Sequence, residues 1–161
     1  MKRLKLFFWC ILFQVFILNY INLNEFLNPY YYVIFILTIP YKTNRSLILL
    51  ISFITGLIID SFSNTYGAHT FACVSISYLN ILWNKQSYHL PEEDKLEMLN
   101  LPIREFLFKA SIMVMTHHFI LFFISNFSWQ EIWLTIQLTI STTFFTLILL
   151  IVHKLLAEKK L

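Results

Sequence analysis

Six apolar runs separated by short polar stretches make up most of this 161-residue chain. They fall at about residues 4–22, 29–41, 46–62, 68–84, 104–125 and 131–153. A helix that spans a bilayer needs about 17 to 25 residues, so five runs are long enough and the second, of about thirteen, is short. The pattern predicts an all-α polytopic membrane protein. Its second run either crosses as a short or tilted helix or turns back within the bilayer.

The charged residues indicate how often the chain crosses. With the amino terminus inside and six crossings, all twelve Lys and Arg residues lie on the inner side, and the outer connections hold Glu25 and Glu131. This asymmetry is the one described by the positive-inside rule. If the second run did not cross, Lys42 and Arg45 would lie outside. We therefore predict six transmembrane helices with both termini cytoplasmic, and we expect Pro29 to pre-set the first turn of the second.

Aromatic residues at the ends of the runs agree with this topology. Trp and Tyr are enriched where a membrane meets water, because their rings are apolar and their tips are polar. Those at the inner boundaries are Trp9, Tyr41 and Trp83, and those at the outer boundaries are Tyr20, Tyr30 to Tyr32, Trp129 and Trp133. We predict that these side chains form the interfacial belt.

Composition places the chain outside the soluble class. Apolar residues make up 58% of it and charged residues 13%, against about a quarter charged in soluble domains. With no linker or repeat, residues 1–161 are predicted to form one domain. The basic start and apolar core of the first run resemble a secretory signal, but without a small-residue cleavage site we interpret it as an uncleaved span. Cys10 and Cys73 lie within apolar runs and are interpreted as small core residues. The dispersed basic residues give no support to nucleic-acid binding.

The longest hydrophilic stretch, at about residues 85–103, connects the fourth and fifth runs. Pro91 followed by three acidic residues is typical of a helix start, and Leu96, Leu99 and Ile103 recur on one helical face. The sequence predicts a short amphipathic helix at the inner membrane surface. It is either a connector that rests on the bilayer or a docking site for a cytoplasmic partner.

Threonines follow one face of the sixth run. They recur at i, i+4, i+7 and i+11, at Thr135, Thr139, Thr142 and Thr146. Positions with this spacing share a helix face, and small polar side chains allow helices in a membrane to pack closely. The stripe favours a helix-packing face, and the alternative is a polar lining for a small ligand.

The stretch from residue 52 to 78 contains both glycines of the chain, with an acid between them. Asp60 lies inside an apolar run, where a charge costs about 2.5 to 3.5 kcal/mol. Gly56 lies one helical turn earlier and allows another helix to approach closely. Residues 63–65 favour a turn, and Gly67 can adopt a positive φ. We predict a helical hairpin with a buried acid near its bend.

Three hypotheses account for Asp60. Its carboxylate caps the first turn of the following helix and binds the amides of the bend. Alternatively, it shapes a groove that receives a partner helix. A third hypothesis is a proton or cation relay, for which the sequence supplies no further series of titratable groups.

Histidines at membrane depth are the remaining candidates for chemistry. His117 and His118 point about 100° apart on a helix, so they cannot chelate one metal as an i, i+4 pair does. One of them could meet Asp60 or His69 across the bundle, but without a local ligand pair we predict neutral histidines bonded to hydroxyls or carbonyls, and no metal. Two glycines cannot build a phosphate loop or a dinucleotide fingerprint. We therefore predict no enzyme activity and no cofactor.

Two stretches in the first half resemble the rod shape-determining MreD family, in its Bacteroidetes form. They are FQVFILNYINLNEFLNPYYYVIFILTIP and LLISFITGLIIDSFSNTYGAHTFACVSISYL. The motifs are the Gln14 to Asn22 end of the first helix, Asn28-Pro29-Tyr30 at the start of the second, and Gly56-x-x-x-Asp60 followed by Gly67-x-His69. The second half is similar only in hydropathy and length, and the insert PEEDKLEML departs from the shortest members.

The resemblance implies a non-enzymatic subunit of the bacterial inner membrane complex that directs sidewall peptidoglycan synthesis. Its expected partners are an MreC-like bitopic protein and, indirectly, MreB, a transpeptidase and a RodA-type glycosyltransferase. We predict that Gly56, Asp60, Gly67 and His69 form the partner-binding site. The family fold is similar to the six-helix substrate-binding subunits of energy-coupling-factor transporters. The second hypothesis is therefore a subunit that binds a vitamin-like small molecule, although the third and sixth helices contain few alanines and lack the Ala-x-x-x-Ala motif expected for its energising partner.

Overall fold

The computed structural model describes residues 2–20, 28–40, 42–86 and 97–158. Regular structure within these ranges is entirely helical, which confirms the predicted all-α class. In chain order the helices are α1 (Lys2–Phe16), α2 (Val33–Leu37), α3 (Arg45–Ser63), α4 (Ala68–Gln86), α5 (Ile103–Asn126) and α6 (Ile132–Glu158). Short 3₁₀ turns occur at Leu18–Tyr20, Met98–Asn100 and Trp129–Glu131.

Among the described residues, three helices are long and apolar enough to span a membrane. They are Arg45–Ser63, Ile103–Asn126 and the continuous stretch Trp129–Glu158. The first helix, at Leu4–Tyr20, is apolar but shorter. α4 has nineteen residues, as α3 does, but it is less apolar because polar side chains such as Asn80 lie along its buried side. The length and composition of the three helices support a membrane protein.

The long helices run back and forth between two ends of a bundle. At one end, here called the hairpin end, Asn19 donates to the hydroxyl of Ser63 at 3.1 Å, and Asn126 donates to that of Thr135 at 3.2 Å. The turns that join α3 to α4 and α5 to α6 lie at this end. α3, α4, α5 and α6 are therefore each antiparallel to the next.

At the opposite end, here called the basic end, two buried lysines hold neighbouring elements together. Lys109 donates to the side-chain oxygen of Asn84 at 2.7 Å, which joins α5 to α4. Lys154 is 1% exposed and donates to the carbonyls of Leu99 and Leu101, each at 2.7 Å. Its ammonium also pairs with Glu158 at 2.7 Å. A buried charge is tolerated here because each ammonium has polar partners.

Residues 28–40 lie in the interior of the bundle and form little helix. The six residues from Tyr32 to Leu37 are at most 9% exposed. The non-helical backbone before α2 is bonded by side chains: Tyr31 N–H donates to Gln14 at 2.8 Å, and Tyr30 N–H donates to Thr146 at 3.0 Å. Irregular backbone is tolerated at membrane depth only where protein surrounds it and satisfies its polar groups.

This segment corrects two predictions. The second helix begins at Val33, not near Pro29. The carbonyl of Pro29 accepts from Gln14, and Val33 N–H donates to Tyr30, so the hydrogen bond that would close a first helical turn at Pro29 does not form. Tyr32 is wholly buried, so its assignment to the interfacial belt is wrong. Tyr20 and Trp129 are strongly exposed, as predicted. Tyr41 lies outside the described residues.

The prediction of an amphipathic helix at about residues 85–103 is wrong for its described end, from residue 97 onward. Its predicted start at Pro91 and its Leu96 lie outside the described residues. Leu99 belongs to the Met98–Asn100 turn, whereas Ile103 begins α5, so the two do not share a helical face. The residue before a proline is disfavoured in the helical region, and Leu101, before Pro102, is extended.

Candidate functional site

The carboxylate of Asp60 joins the end of α3 to the start of α4. One oxygen accepts from the hydroxyl of Thr65 at 2.5 Å and from His69 N–H at 3.0 Å. The other accepts from the N–H and hydroxyl of Thr70 at 2.8 and 2.6 Å. The first N–H groups of a helix lack partners within it and carry a partial positive charge. The capping hypothesis for Asp60 is therefore confirmed.

Gly56 lies where α3 and α4 come closest. A Cβ atom at this position would lie 2.4 Å from Thr70 Cα and 2.9 Å from the carbonyl oxygen of His69. One turn earlier, the hydroxyls of Ser52 and Ser77 are hydrogen-bonded across the same interface. The close approach predicted at Gly56 is thus made by α4 of the same chain, and a partner helix cannot contact Gly56 while α4 is in place.

The bend between α3 and α4 depends on unusual backbone angles. Asn64 and Tyr66 have φ values of 53° and 49°, and Gly67 has a φ of 97°. The positive φ predicted for Gly67 is confirmed. A Cβ atom there would meet nothing within 4 Å, so Gly67 contributes its conformational freedom and not a close contact.

Tyr32 is the centre of a buried histidine–tyrosine cluster, which also contains His69, His117 and His118. Its hydroxyl lies 2.6 Å from His69 Nδ1 and 3.0 Å from His117 Nε2. All four side chains are at most 1% exposed. A phenol has one proton, so one ring nitrogen accepts it and the other donates to the oxygen. The predicted bonding of the fifth-run histidines to hydroxyls is confirmed, because His117 is bonded to Tyr32 and His118 to Thr143.

The threonine stripe of α6 packs against the other helices as predicted, with all four threonines at most 2% exposed. Thr135 accepts from Asn126 of α5, and Thr146 accepts from the backbone of Tyr30. Thr143 lies beside the stripe and is bonded to His118 Nδ1 at 3.1 Å, which joins α6 to the histidine–tyrosine cluster. The preferred interpretation, a helix-packing face, is confirmed.

Asp60 and the histidine rings do not converge on a common point. Asp60 is bonded to the backbone of His69, and the His69 ring is bonded to Tyr32. Within the described ranges, no group of three His, Cys, Asp or Glu side chains could hold a metal ion. The possible site of Asp60, His69 and a fifth-run histidine is therefore not formed.

The pattern of the sequence did not indicate the roles of two buried residues, Tyr32 and Gln14. Gln14 is fully buried and bonded to Asn19, Pro29 and Tyr31, so that it fastens α1 to the interior segment. A lone glutamine within an apolar helix was the available signal, because such a side chain needs partners inside the protein. For Tyr32 no local signal existed, since its partners lie on α4 and α5.

The polar side chains described above bind one another and the backbone of this chain. Such a network stabilises one arrangement of the helices, and both oxygens of its carboxylate accept hydrogen bonds within the hairpin. Comparisons with protein families, with curated proteins and with solved structures found no match to this chain.

Proposed function

We propose that this protein is a non-enzymatic, MreD-like subunit of the bacterial cell-wall elongation complex and that it binds an MreC-like bitopic protein. The observation that carries the proposal is the set of hydrogen bonds that Asp60 accepts. Its four hydrogen bonds all serve the α3–α4 hairpin, so the acid stabilises a shape and is not held ready for a reaction. A fixed hairpin with an apolar outer surface suits a subunit that binds another membrane helix.

The proposed topology is six crossings with both termini in the cytoplasm of a bacterial inner membrane. The antiparallel order of α3 to α6 supports it. The positions of residues at the two ends of the interior segment also support this topology. Tyr32 reaches His69 in the hairpin-end half of α4, whereas Thr38 and Pro40 line a groove at the basic end with Leu99. Residues 28–40 therefore run from one half of the bundle towards the other, which supports a second crossing by this segment.

Cysteine labelling tests this topology. In intact spheroplasts, single cysteines at Asn64 and Ser128 are expected to react with an impermeant maleimide, because both residues lie at the hairpin end. Cysteines at Lys42 and Arg45 are expected to react only after permeabilisation. Equal labelling of Lys42 and Asn64 replacements in intact spheroplasts would rule out a crossing by the second run.

The partner is proposed to pack on the outer face of α3. Gly56 faces α4, but Phe53, Ile54 and Leu57 of the same helix are exposed and apolar. Gly56, Asp60, Gly67 and the backbone of His69 act on this surface indirectly, because they fix the hairpin that carries it. Side-chain packing is the main force between membrane helices, since lipid removes the hydrophobic drive.

The function is tested by affinity purification together with depletion. Depletion is expected to turn rod-shaped cells into spheres, and the tagged protein is expected to capture an MreC-like bitopic protein. The double variant Phe53→Ala, Leu57→Ala should remain in the membrane at normal abundance and lose most of that capture. Phe144→Ala on the exposed face of α6 is the matched control and should retain it.

Three results would contradict the proposal. They are a normal rod shape after depletion, full capture by the double variant, and a purified protein that carries a vitamin-like ligand and an ATPase module. The last would favour the energy-coupling-factor alternative, which requires a polar pocket open to the outside. The groove of about 540 Å³ at the basic end does not meet this requirement, because its lining is mainly apolar and it opens on the cytoplasmic side of the proposed topology.

A further inference from the structure

The groove at the basic end has an apolar floor and a polar rim. Its volume is about 540 Å³. The floor is formed by buried or half-buried side chains, among them Leu6, Phe35, Ile51, Met98 and Leu99. The lining residues that are exposed are all polar, namely Glu97, Asn100 and Glu158. This separation suits a molecule with an apolar chain and a polar end.

Hydrogen bonds of Lys154 hold one wall of the groove in place. Its ammonium donates to the carbonyls of Leu99 and Leu101, each at 2.7 Å, and pairs with Glu158 at 2.7 Å. The Met98–Asn100 turn is thereby tied to the end of α6. The Glu158 side chain is 50% exposed, and a carboxylate has about four lone-pair sites, so it can accept from a further donor beside Lys154.

The floor of the groove reaches the depth of lipid acyl chains. Ile51 is six residues beyond Arg45, where α3 begins, which is about 9 Å along a helix axis. Leu47 and Leu50 lie on this same stretch of α3 and are 47% and 54% exposed. Apolar side chains exposed on a membrane helix mark the surface that lipid covers. A lipid can therefore place a chain on the floor while its headgroup stays at the rim.

The charge of the rim defines the headgroup. Glu97 and Glu158 attract a cation, and the described lining residues include no Lys or Arg that would bind an anion. Phosphatidylethanolamine carries an ammonium that donates to carboxylates. Phosphatidylglycerol has a net negative charge and no amine, so the acidic rim disfavours it.

A helix of a partner protein suits the groove less well than an acyl chain. A single helical turn, about 10 Å wide and about 5.4 Å long, occupies about 400 Å³. The groove therefore accommodates little more than one turn. An acyl chain is a single row of methylene groups and extends along the floor without this restriction.

We propose that the groove binds one acyl chain of phosphatidylethanolamine, with the lipid ammonium at the rim carboxylates of Glu97 and Glu158. The bound chain covers the apolar floor and connects α1, α3, the interior segment and the end of α6. In the proposed topology the lipid comes from the inner leaflet. Binding does not depend on the MreC-like partner, because the exposed residues of α3 proposed to contact that partner do not line the groove.

Native mass spectrometry of the full-length protein tests the site. The protein is released from nanodiscs that contain phosphatidylethanolamine and phosphatidylglycerol with identical chains in equal amounts. One phosphatidylethanolamine per protein is expected to be retained, with a preference of about fivefold, as for one favourable half-exposed ion pair. Equal retention of the two lipids or a preference for phosphatidylglycerol would overturn the proposal. Retention of neither lipid would also overturn it and would leave the groove to a protein segment.

A first pair of variants locates the lipid chain. Ala157→Phe fills the groove, whereas Leu156→Phe adds the same side chain at an exposed position that does not line it. Only Ala157→Phe is expected to lose the retained lipid. Equal retention by the two variants would place the lipid elsewhere on the protein and contradict the proposal.

A second pair tests the headgroup and does not alter the volume of the groove. Glu97→Gln removes one rim charge and should lower the preference for phosphatidylethanolamine over phosphatidylglycerol. Glu105→Gln removes an exposed acid of the first turn of α5 outside the groove and should leave the preference unchanged. A preference that Glu97→Gln does not alter would show that the rim does not select the headgroup.

Discussion

Gly56→Ala is expected to destabilise the α3–α4 hairpin strongly, and Gly56→Leu to prevent its formation. The added Cβ would lie 2.4 Å from Thr70 Cα, and helix backbone cannot move aside as the end of a side chain can. Overpacking of this kind costs about 1 to 3 kcal/mol for a small group, and leucine adds three more carbons. Both variants should show reduced abundance in the membrane and a lower melting temperature, with the larger loss for leucine. Loss of the partner and of rod shape should follow from loss of folded protein.

Ser61→Leu is the matched control for this prediction. Ser61 lies on the exposed face of α3, and its hydroxyl bonds only within its own helix, to the carbonyl of Leu57. The same large side chain should be tolerated there. Ser52 is unsuitable as a control because it is buried in the α3–α4 interface with Ser77. Normal abundance and melting temperature for Gly56→Leu would show that α3 and α4 do not pack as described.

Asp60→Asn is expected to destabilise the protein nearly as much as Asp60→Ala. Each carboxylate oxygen accepts from a backbone N–H, one from His69 and one from Thr70. The amide of asparagine has only one accepting oxygen, so its NH₂ group must face one of those donors. Hydrogen bonds to a charged group contribute about 1.5 to 3 kcal/mol each. Asparagine loses at least one of them and the charge that strengthens the others, and alanine loses all four. Thermal unfolding in detergent, followed by tryptophan fluorescence, measures the loss.

Thr65→Val removes one hydrogen-bond partner of Asp60 while the carboxylate keeps its charge. It removes a single hydroxyl donor and leaves the two backbone N–H groups in place, so its effect should be clearly smaller than that of Asp60→Asn. An Asp60→Asn protein that melts at the parental temperature and still captures its partner would show that the cap does not stabilise the hairpin. The two variants together thus test whether the acid acts on the fold.

The hairpin could be predicted from the sequence because its determinants are close together in the chain. Asp60, the turn residues 63–65 and Gly67 lie within ten residues of one another, and each has a strong local preference. The threonine stripe could be predicted for the same reason, since helical spacing alone defines its face. The helix that approaches Gly56 could not be identified, because a missing side chain permits close packing without specifying the neighbour.

The interior segment could not be predicted because its partners are distant in the chain. Tyr32 is bonded to residues 37 and 85 positions later, and Tyr30 to one 116 positions later. Three tyrosines beside a proline are as typical of an interfacial belt as of a buried segment. Which of the two they form depends on the helices that surround them. The helix predicted near residues 85–103 fails for a different reason. The helical spacing of its apolar residues continues across Pro102, but the helix itself does not, because Leu101 is extended.

The position of residues 28–40 has a consequence for the order in which the protein is assembled. Thr146 and His153, which bind Tyr30 and Tyr31, lie 116 and 122 positions later in the chain and are synthesised well after this segment. Until α6 is inserted, the peptide N–H of Tyr30 lacks the hydroxyl to which it is bonded in the finished fold. An unpaired peptide group is strongly disfavoured in hydrocarbon, so the nascent segment must retain water or other temporary partners. Insertion of α6 is thus expected to be the step that closes this interior.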